Sequence, residues 1–493
     1  MPKLNECESM IRSGLSHVAR SILVREVTQV RKYSVSEKIR LGHLLRRTGA
    51  FNETIKVLHS LARDERASEN RDLAQIEYAT ALTFLGLTAE AENIFLSLNK
   101  NKYPQVLTQL STLNTMNWDY ESSVKNLENY FSLSSIHHIS NDEYFKLIAE
   151  INLNISYAFV KPEKINIDRI YEIQEIVQQK NYKLLNAITT QILGRYLTSQ
   201  REHANAERVF QTGLNMLKGQ KTFDYLYLKK WQLINALESK RIGRKPLLEL
   251  ALLKKYAYNL KDYETVRECD YYHSLYSKNK KLHTYCFVGS PFSHYKKKFK
   301  SDLIEGKTLF QFNPENTRYE IKLTQDTKLD LDLIISDYIS TNKTQLKKNK
   351  NLSLLLQSLT NDFYRPKTIH RLFTDLFPDQ YWNPQSSPNL IRQIIFRFRQ
   401  WATANHTNLK ITENSKNYFL NSEDHKIVFI KNRDFNLAMN LNLNSREFTL
   451  AEFRQQTGLS QRSAERKIAE LKKRGQIKTI GQTRNLKYVW INP

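Results

Sequence analysis

Apolar residues recur three and four positions apart over most of the first 280 residues, and they do so in blocks. Residues 40–61, RLGHLLRRTGAFNETIKVLHSL, set Leu41-Gly42, Leu45, Gly49, Phe51, Thr54, Leu58 and Leu61 in an alternation of small and large positions. Residues 76–98 repeat it with Tyr78-Ala79, Leu82, Gly86, Ala91, Phe95 and Leu98, and residues 191–213 with Leu193-Gly194, Leu197, Ala206, Phe210 and Gly213. A weaker copy lies at 110–130. The small position returns at Thr54, Ala91, Ser123 and Ala206. Small residues let two helices approach closely, while Leu, Phe and Tyr fill the groove between neighbouring pairs. The spacing carries on through 222–240 and 246–278, where Pro246 suits a first turn. It predicts an α-helical solenoid over residues 1–284.

The period then changes. Pro291-Phe292-Ser293 breaks the helices, and Lys296-Lys297-Lys298-Phe299-Lys300 is a basic run suited to a phosphate or to a solvated turn. Tyr319-Glu320-Ile321-Lys322-Leu323 and Leu329-Asp330-Leu331-Asp332-Leu333 alternate with period two, as half-buried strands do. Residues 285–345 are therefore expected to be a connector with short strands, and those strands are also able to serve as a platform for the next domain.

Helices return at 346–430. Leu352 to Leu359 mark a first helix ending near Asp362, and Pro366 is expected to open a second, with Ile369, Leu372, Phe373 and Leu376 as its apolar stripe. After the turn-rich stretch Pro378–Pro384, Ser386-Ser387-Pro388 starts a third helix over 388–404. Leu409-Lys410-Ile411 and Tyr418-Phe419-Leu420 then flank Asn414-Ser415-Lys416-Asn417 as a hairpin. Three helices and a hairpin make a winged helix-turn-helix. Residues 431–493 offer a second: Thr449 caps a helix, Thr457-Gly458-Leu459 is the turn, and Ser460 caps the next helix, which stops at Gly475. Gln476–Ile480 and Leu486–Ile491 are its hairpin strands. The fold class expected is mainly α, an N-terminal solenoid followed by two small winged-helix (α+β) domains.

These motifs carry three resemblances. The blocks over 30–220 resemble tetratricopeptide repeats, which implies a concave surface for a protein or peptide. Residues 350–422 resemble the DNA-binding domain of response-regulator transcription factors, through the long third helix with Arg397-Phe398-Arg399 and its closing hairpin. In that subtype the long turn at 377–387 is often used for protein contacts. The stretch GLSQRSAERKIAELKKRGQI is similar to the core of bacterial winged-helix repressors, which implies that Ala464, Ile468 and Leu471 are buried.

Charge sharpens the picture. The chain has 493 residues, with 75 Lys and Arg against 50 Asp and Glu. The first 220 residues hold 27 basic and 24 acidic side chains, while the remaining 48 basic and 26 acidic ones follow. The excess behind residue 220 points that part at a polyanion. Asn, Gln and Arg pair with base edges in the major groove, whereas Lys contacts phosphate. The candidate DNA-binding residues are thus Ser387, Asn389, Arg392, Gln393, Arg397 and Arg399 on the first recognition helix, with Lys410 and Lys416 on its wing. On the second they are Ser460, Gln461, Arg462, Ser463, Arg466 and Lys467, with Arg484 and Asn485 at the wing tip.

Other classes lose ground. No Gly-rich phosphate loop, His-Glu-x-x-His helix or Gly-x-Ser-x-Gly elbow is present, so no enzymatic activity and no cofactor are expected. Cys269 and Cys286 lie near His273 and His283, but the spacing matches no zinc module, and no metal is expected. No run of about 18 apolar residues and no signal-peptide core after Met1 are found, which fits a cytoplasmic protein. The expectation is a bacterial-type transcriptional regulator. Its partners would be double-stranded DNA at the winged helices and a protein or peptide on the solenoid, with a homodimer compatible. A scaffold with winged helices used for dimerisation, and a replication initiator, remain as alternatives.

Overall fold

Local signals start and stop the helices. Ser34 and Glu37 form a reciprocal capping box ahead of Val35–Arg47: the Glu37 amide donates to Ser34 Oγ, and the Ser34 amide to the Glu37 carboxylate. Gly86, at φ +90°, closes Glu69–Leu85 in the left-handed conformation that glycine adopts without a Cβ clash. The computed structural model of the protein describes residues 2–12, 15–64, 68–137, 143–180, 182–217, 223–239, 244–304, 307–312, 317–322, 334–335, 349–406, 409–422, 428–429, 447–457, 461, 464–465, 468–469, 472, 477–480 and 487–490.

Consecutive helices pack in pairs. Val35–Arg47 lies on Phe51–Ala62, Glu69–Leu85 on Thr88–Ser97, and Gln105–Met116 on Tyr120–His137. Further along, Ile167–Gln179 meets Lys183–Ser199, which pairs with His203–Met216. Phe223–Glu238 packs on Arg244–Asn259, and Tyr263–Ser277 on Lys280–Val288. The small positions do what the repeat pattern requires. A Cβ on Gly42 would sit 2.5 Å from Leu58, and one on Gly194 would sit 2.4 Å from Phe210. In the third copy a serine pair replaces apolar contact: Ser111 Oγ and Ser123 Oγ are 2.8 Å apart and fully enclosed. The molecule is a helical-repeat protein, mainly α, with small sheets toward its C-terminal part.

Residues 346–421 do not stand apart from the solenoid. They form one compact unit with residues 1–299, whereas residues 300–345 and 422–493 form the other. In place of the expected borders at 284 and 430 the units divide at 299 and 421, and long-range polar contacts bind residues 346–421 to the repeats. Arg267 (0% exposed) donates from Nη2 to both oxygens of Asp362, at 3.0 and 3.1 Å, and from Nη1 to Ser290 Oγ at 2.6 Å. The Tyr364 hydroxyl donates to Asp270 at 3.2 Å, and the Phe363 amide to the Gly289 carbonyl at 2.9 Å. Part of the basic run turns inward: Lys296 is buried and the preceding Tyr295 packs on Trp118, with ring centres 4.5 Å apart, while Lys297 and Lys300 stay exposed.

Within 346–421 the order is helix Lys350–Thr360, strand Lys367–Thr368, helix Ile369–Leu376, helix Ser387–Ala404, then strands Leu409–Asn414 and Asn417–Ser422. Pro366 does not open the second helix. A two-residue strand follows it, pairing Lys367 with Tyr418 and Thr368 with Asn417, and Thr368 then caps the helix by accepting from the Arg371 amide. The last strand lies between the first and the middle one in the sheet.

In the other unit the described residues follow that order from the first strand onward. Strand Glu447–Phe448 precedes helix Leu450–Thr457; residues 461, 464, 465, 468, 469 and 472 are helical; strands Ile477–Ile480 and Lys487–Trp490 follow. Again the last strand lies in the middle, with Tyr488 opposite both Phe448 and Thr479. Thr449 and Glu452 make a second capping box. Phe448, Phe453, Ala464, Ile468 and Ile477 are the core, as the sequence expects for Ala464 and Ile468; Leu471 lies outside the described residues. The order in 350–422 is the one expected there, and the described residues of 447–490 follow it from the strand onward. Of the strands expected in the connector, the one at 319–323 falls on Thr317–Lys322, which pairs antiparallel with Lys307–Phe312 in this second unit, and the one at 329–333 lies outside the described residues. The pair joins a sheet with Val428–Phe429 and Ile334–Ile335 instead of the sheet of the first winged helix.

Candidate nucleic-acid interface

The helix Ser387–Ala404 is set by the turn before it. Asn383 accepts from the amides of Gln385 and Ser386 through its side chain and donates its own amide to Ser387 Oγ at 2.8 Å. Ser386, at the N-cap, makes no side-chain cap, so the turn takes over the role expected of that serine. Ile391, Ile394, Ile395, Phe398 and Ala402 are buried at helical spacing. The opposite face is open: Asn389, Arg392, Gln393, Phe396, Arg397, Arg399 and Gln400 are all exposed.

This places the expected site residues in two groups. Asn389, Arg392, Gln393, Arg397 and Arg399 share one exposed surface. Ser387 does not: it is buried, and its hydroxyl is used in the turn. Arg392 donates to Asn389 Oδ1 at 3.0 Å, and Arg399 to the Ile411 carbonyl at 3.0 Å, which ties the helix to the wing. None of the three arginines forms an ion pair among the described residues. The wing closes in two residues, Ser415 at φ +51° and Lys416 at φ +66°, the signature of a type I′ turn. Lys410 and Lys416 are exposed on it. In the second winged helix Gln461 is exposed and bonds Glu465 at 3.1 Å. Ser460, Arg462, Ser463, Arg466, Lys467, Arg484 and Asn485 lie outside the described residues.

A dock between the turn and the repeats holds the start of helix Ser387–Ala404. The Trp382 amide donates to Glu90 Oε2 at 2.6 Å, and Arg63 pairs with the other oxygen of Glu90. Arg63 also lies 4.1 Å from the centre of the Tyr381 ring. Burial pushes the Glu90 carboxyl up to about 7, against the opposing pull of the Trp382 amide and Arg63. His370, its ring tilted against that of Trp382 with centres 4.6 Å apart, is pushed down to about 4 by burial. Asp362 is held below its ordinary range: burial raises it, and Arg267 foremost, with Lys367 and Arg365, outweighs that. The long turn read as a protein-contact site is thus in contact with this chain's own repeats. The sequence signal for the dock is a single one, tryptophan in an otherwise polar turn.

Among the described residues no group of His, Cys, Asp and Glu is arranged to hold a metal. Cys269 and Cys286 are buried thiols, both pushed well up by burial; Cys286 Sγ lies 3.2 Å from the Tyr364 hydroxyl. His283 instead bonds Ser274 Oγ at 2.9 Å. No described helix is long and apolar enough to cross a membrane.

No family model matches the chain, and no curated protein matches it. Among solved structures the chain is similar to the crystal structure of a Rap protein complexed with competence and sporulation factor. The sequence identity is 10% and the TM-score 0.43, over 82% of this chain and 98% of that one.

Proposed function

We propose that the protein is a DNA-binding transcriptional regulator that works in the cytoplasm by binding and not by catalysis. In this reading Ser387–Ala404 enters a major groove of double-stranded DNA, the wing at Ser415-Lys416 lies on phosphate, and the second winged helix adds a further contact. The repeats take a protein or peptide partner and pass its effect on through the dock. The observation that carries the reading is the open face of Ser387–Ala404. It sets two amides and three arginines on one side of a helix whose other side is buried, with no carboxylate paired to any of those arginines among the described residues. Such side chains hydrogen-bond base edges and neutralise phosphate.

Fluorescence anisotropy of the full chain on a labelled duplex tests it. Affinity should fall steeply as salt rises from 50 to 200 mM, by the release of counterions from each neutralised phosphate. Arg397→Ala and Lys416→Ala together should shallow that slope. Absence of binding at the lowest salt would leave the scaffold reading in its place.

A further inference from the structure

We infer that the helical pairs hold a carboxylate-binding site, in which Arg195 and Lys298 meet the acid group inside a box of aromatic rings. Phe159, Arg195 and Trp231 come from three different helices, Glu143–Val160, Lys183–Ser199 and Phe223–Glu238. The Arg195 guanidinium lies between the other two, 4.1 Å from the centre of each ring. Lys298 Nζ stands 4.6 Å from the Phe159 ring and 4.9 Å from that of Trp118. Tyr120 stacks on Phe159 at 4.0 Å and closes one wall.

Two features suit the pair to an anionic ligand. Arg195 keeps only 7% of its surface exposed, yet neither it nor Lys298 has a hydrogen-bond acceptor or ion-pair partner among the described residues. The nearby carboxylates are committed elsewhere. Glu268 pairs with Lys230, and Glu264 receives Trp118 Nε1, Arg267 and Arg365. Ring faces attract a cation but offer no oxygen to its N–H groups, whereas the planar guanidinium fork matches a carboxylate in pairs. Burial accordingly pushes Lys298 down to about 8 and lowers Arg195 as well, as expected where two cations share one desolvated space. The ring walls suit an apolar or aromatic body behind the acid group. A free small molecule and the end of a peptide both offer such an acid; the shared chemistry is a carboxylate on an apolar carrier.

The inference rests on reading the repeats as a binding surface and is independent of the DNA reading. Tryptophan emission of the full chain tests it, since Trp118 and Trp231 line the box. Titrate with phenylacetate, with neutral phenylacetamide, and with N-acetyl-glycyl-phenylalanine as acid and as amide. The acids should give a saturable change and the amides none. Arg195→Gln and Lys298→Met should each weaken the acid roughly tenfold or more, as loss of a charged hydrogen bond implies. Lys297→Met, at an exposed position beside them, should not. Tighter binding of phenylacetate identifies a small acid as the source, and tighter binding of the peptide acid a chain end; either supports the site. Equal curves for acid and amide, or a wild-type curve in both variants, would overturn it. Circular dichroism checks that Arg195→Gln folds, and Lys298→Met decides if it does not. DNA affinity measured on the same samples separates failure of this site from failure of the DNA reading.

Discussion

At the scale of single residues, Glu90 gives a signed prediction. Its folded carboxyl titrates near 7, above the ordinary value of 4.5, so between those values the folded state holds a proton that the unfolded chain has released. Stability from this group is therefore full below about 4.5, falls as pH rises through about 7, and is level beyond. Glu90→Gln keeps an acceptor for the Trp382 amide and cannot titrate. The difference in melting temperature between variant and wild type should change across pH 4.5–7 and stay constant above it. A difference that is flat across the window would contradict the assignment. Gly194 predicts steric cost instead: Gly194→Ala puts a methyl 2.4 Å from Phe210 and should destabilise by about 1–3 kcal/mol in urea denaturation. That glycine was legible in the sequence because the repeat demands a small residue there. Glu90 was not, because its role depends on Trp382, almost 300 positions away, and periodicity carries no information on such a pair.

At the scale of elements, amphipathic helices were the most legible. The stripe Ile391, Ile395, Phe398 predicted Ser387–Ala404 within one residue, and the expected hairpin around Ser415-Lys416 is present. Short elements were less so. Lys367–Thr368 is too brief for a period to register, and Pro366 beside it mimicked a helix start. Ser387 was misplaced for a related reason: from the sequence a cap and a groove contact look alike, and only the Asn383 amide decides between them. The exposed face itself makes the element-scale prediction. Arg392→Ala and Gln393→Ala should each cost about 1–3 kcal/mol at a preferred site if they read bases, with melting temperature unchanged because neither side chain is buried. Calorimetric titration against that site measures it. Equal affinity for variant and wild type at both positions would remove the helix from the groove.

At the scale of the whole molecule, the division into units was the least legible part. The sequence separates 346–430 as a domain by its change of pattern, yet 346–421 packs with the repeats through Arg267, Asp362 and Tyr364. Those residues lie in segments whose apolar periods are unrelated, so their partnership is invisible along the chain. The lysine run shows the same limit, since charge alone suggests solvent or phosphate while Lys296 is buried in the core. Removing one partner of a buried ion pair costs about 3–5 kcal/mol, because the other charge is left desolvated. Asp362→Ala should therefore loosen the winged helix from the solenoid and split one denaturation transition into two, by calorimetry. A single unshifted transition would show that the pair does not hold the unit together.

The central claim is that Ser387–Ala404 reads DNA sequence from a frame fixed by the repeats. Selection from a random duplex pool measures this directly, using wild type and an Asn389→Ala, Arg392→Ala, Gln393→Ala variant. The account predicts that wild type enriches a defined motif, while the variant keeps weak, salt-sensitive binding and enriches none. Wild type that enriches nothing, or a variant that enriches the same motif, would contradict it.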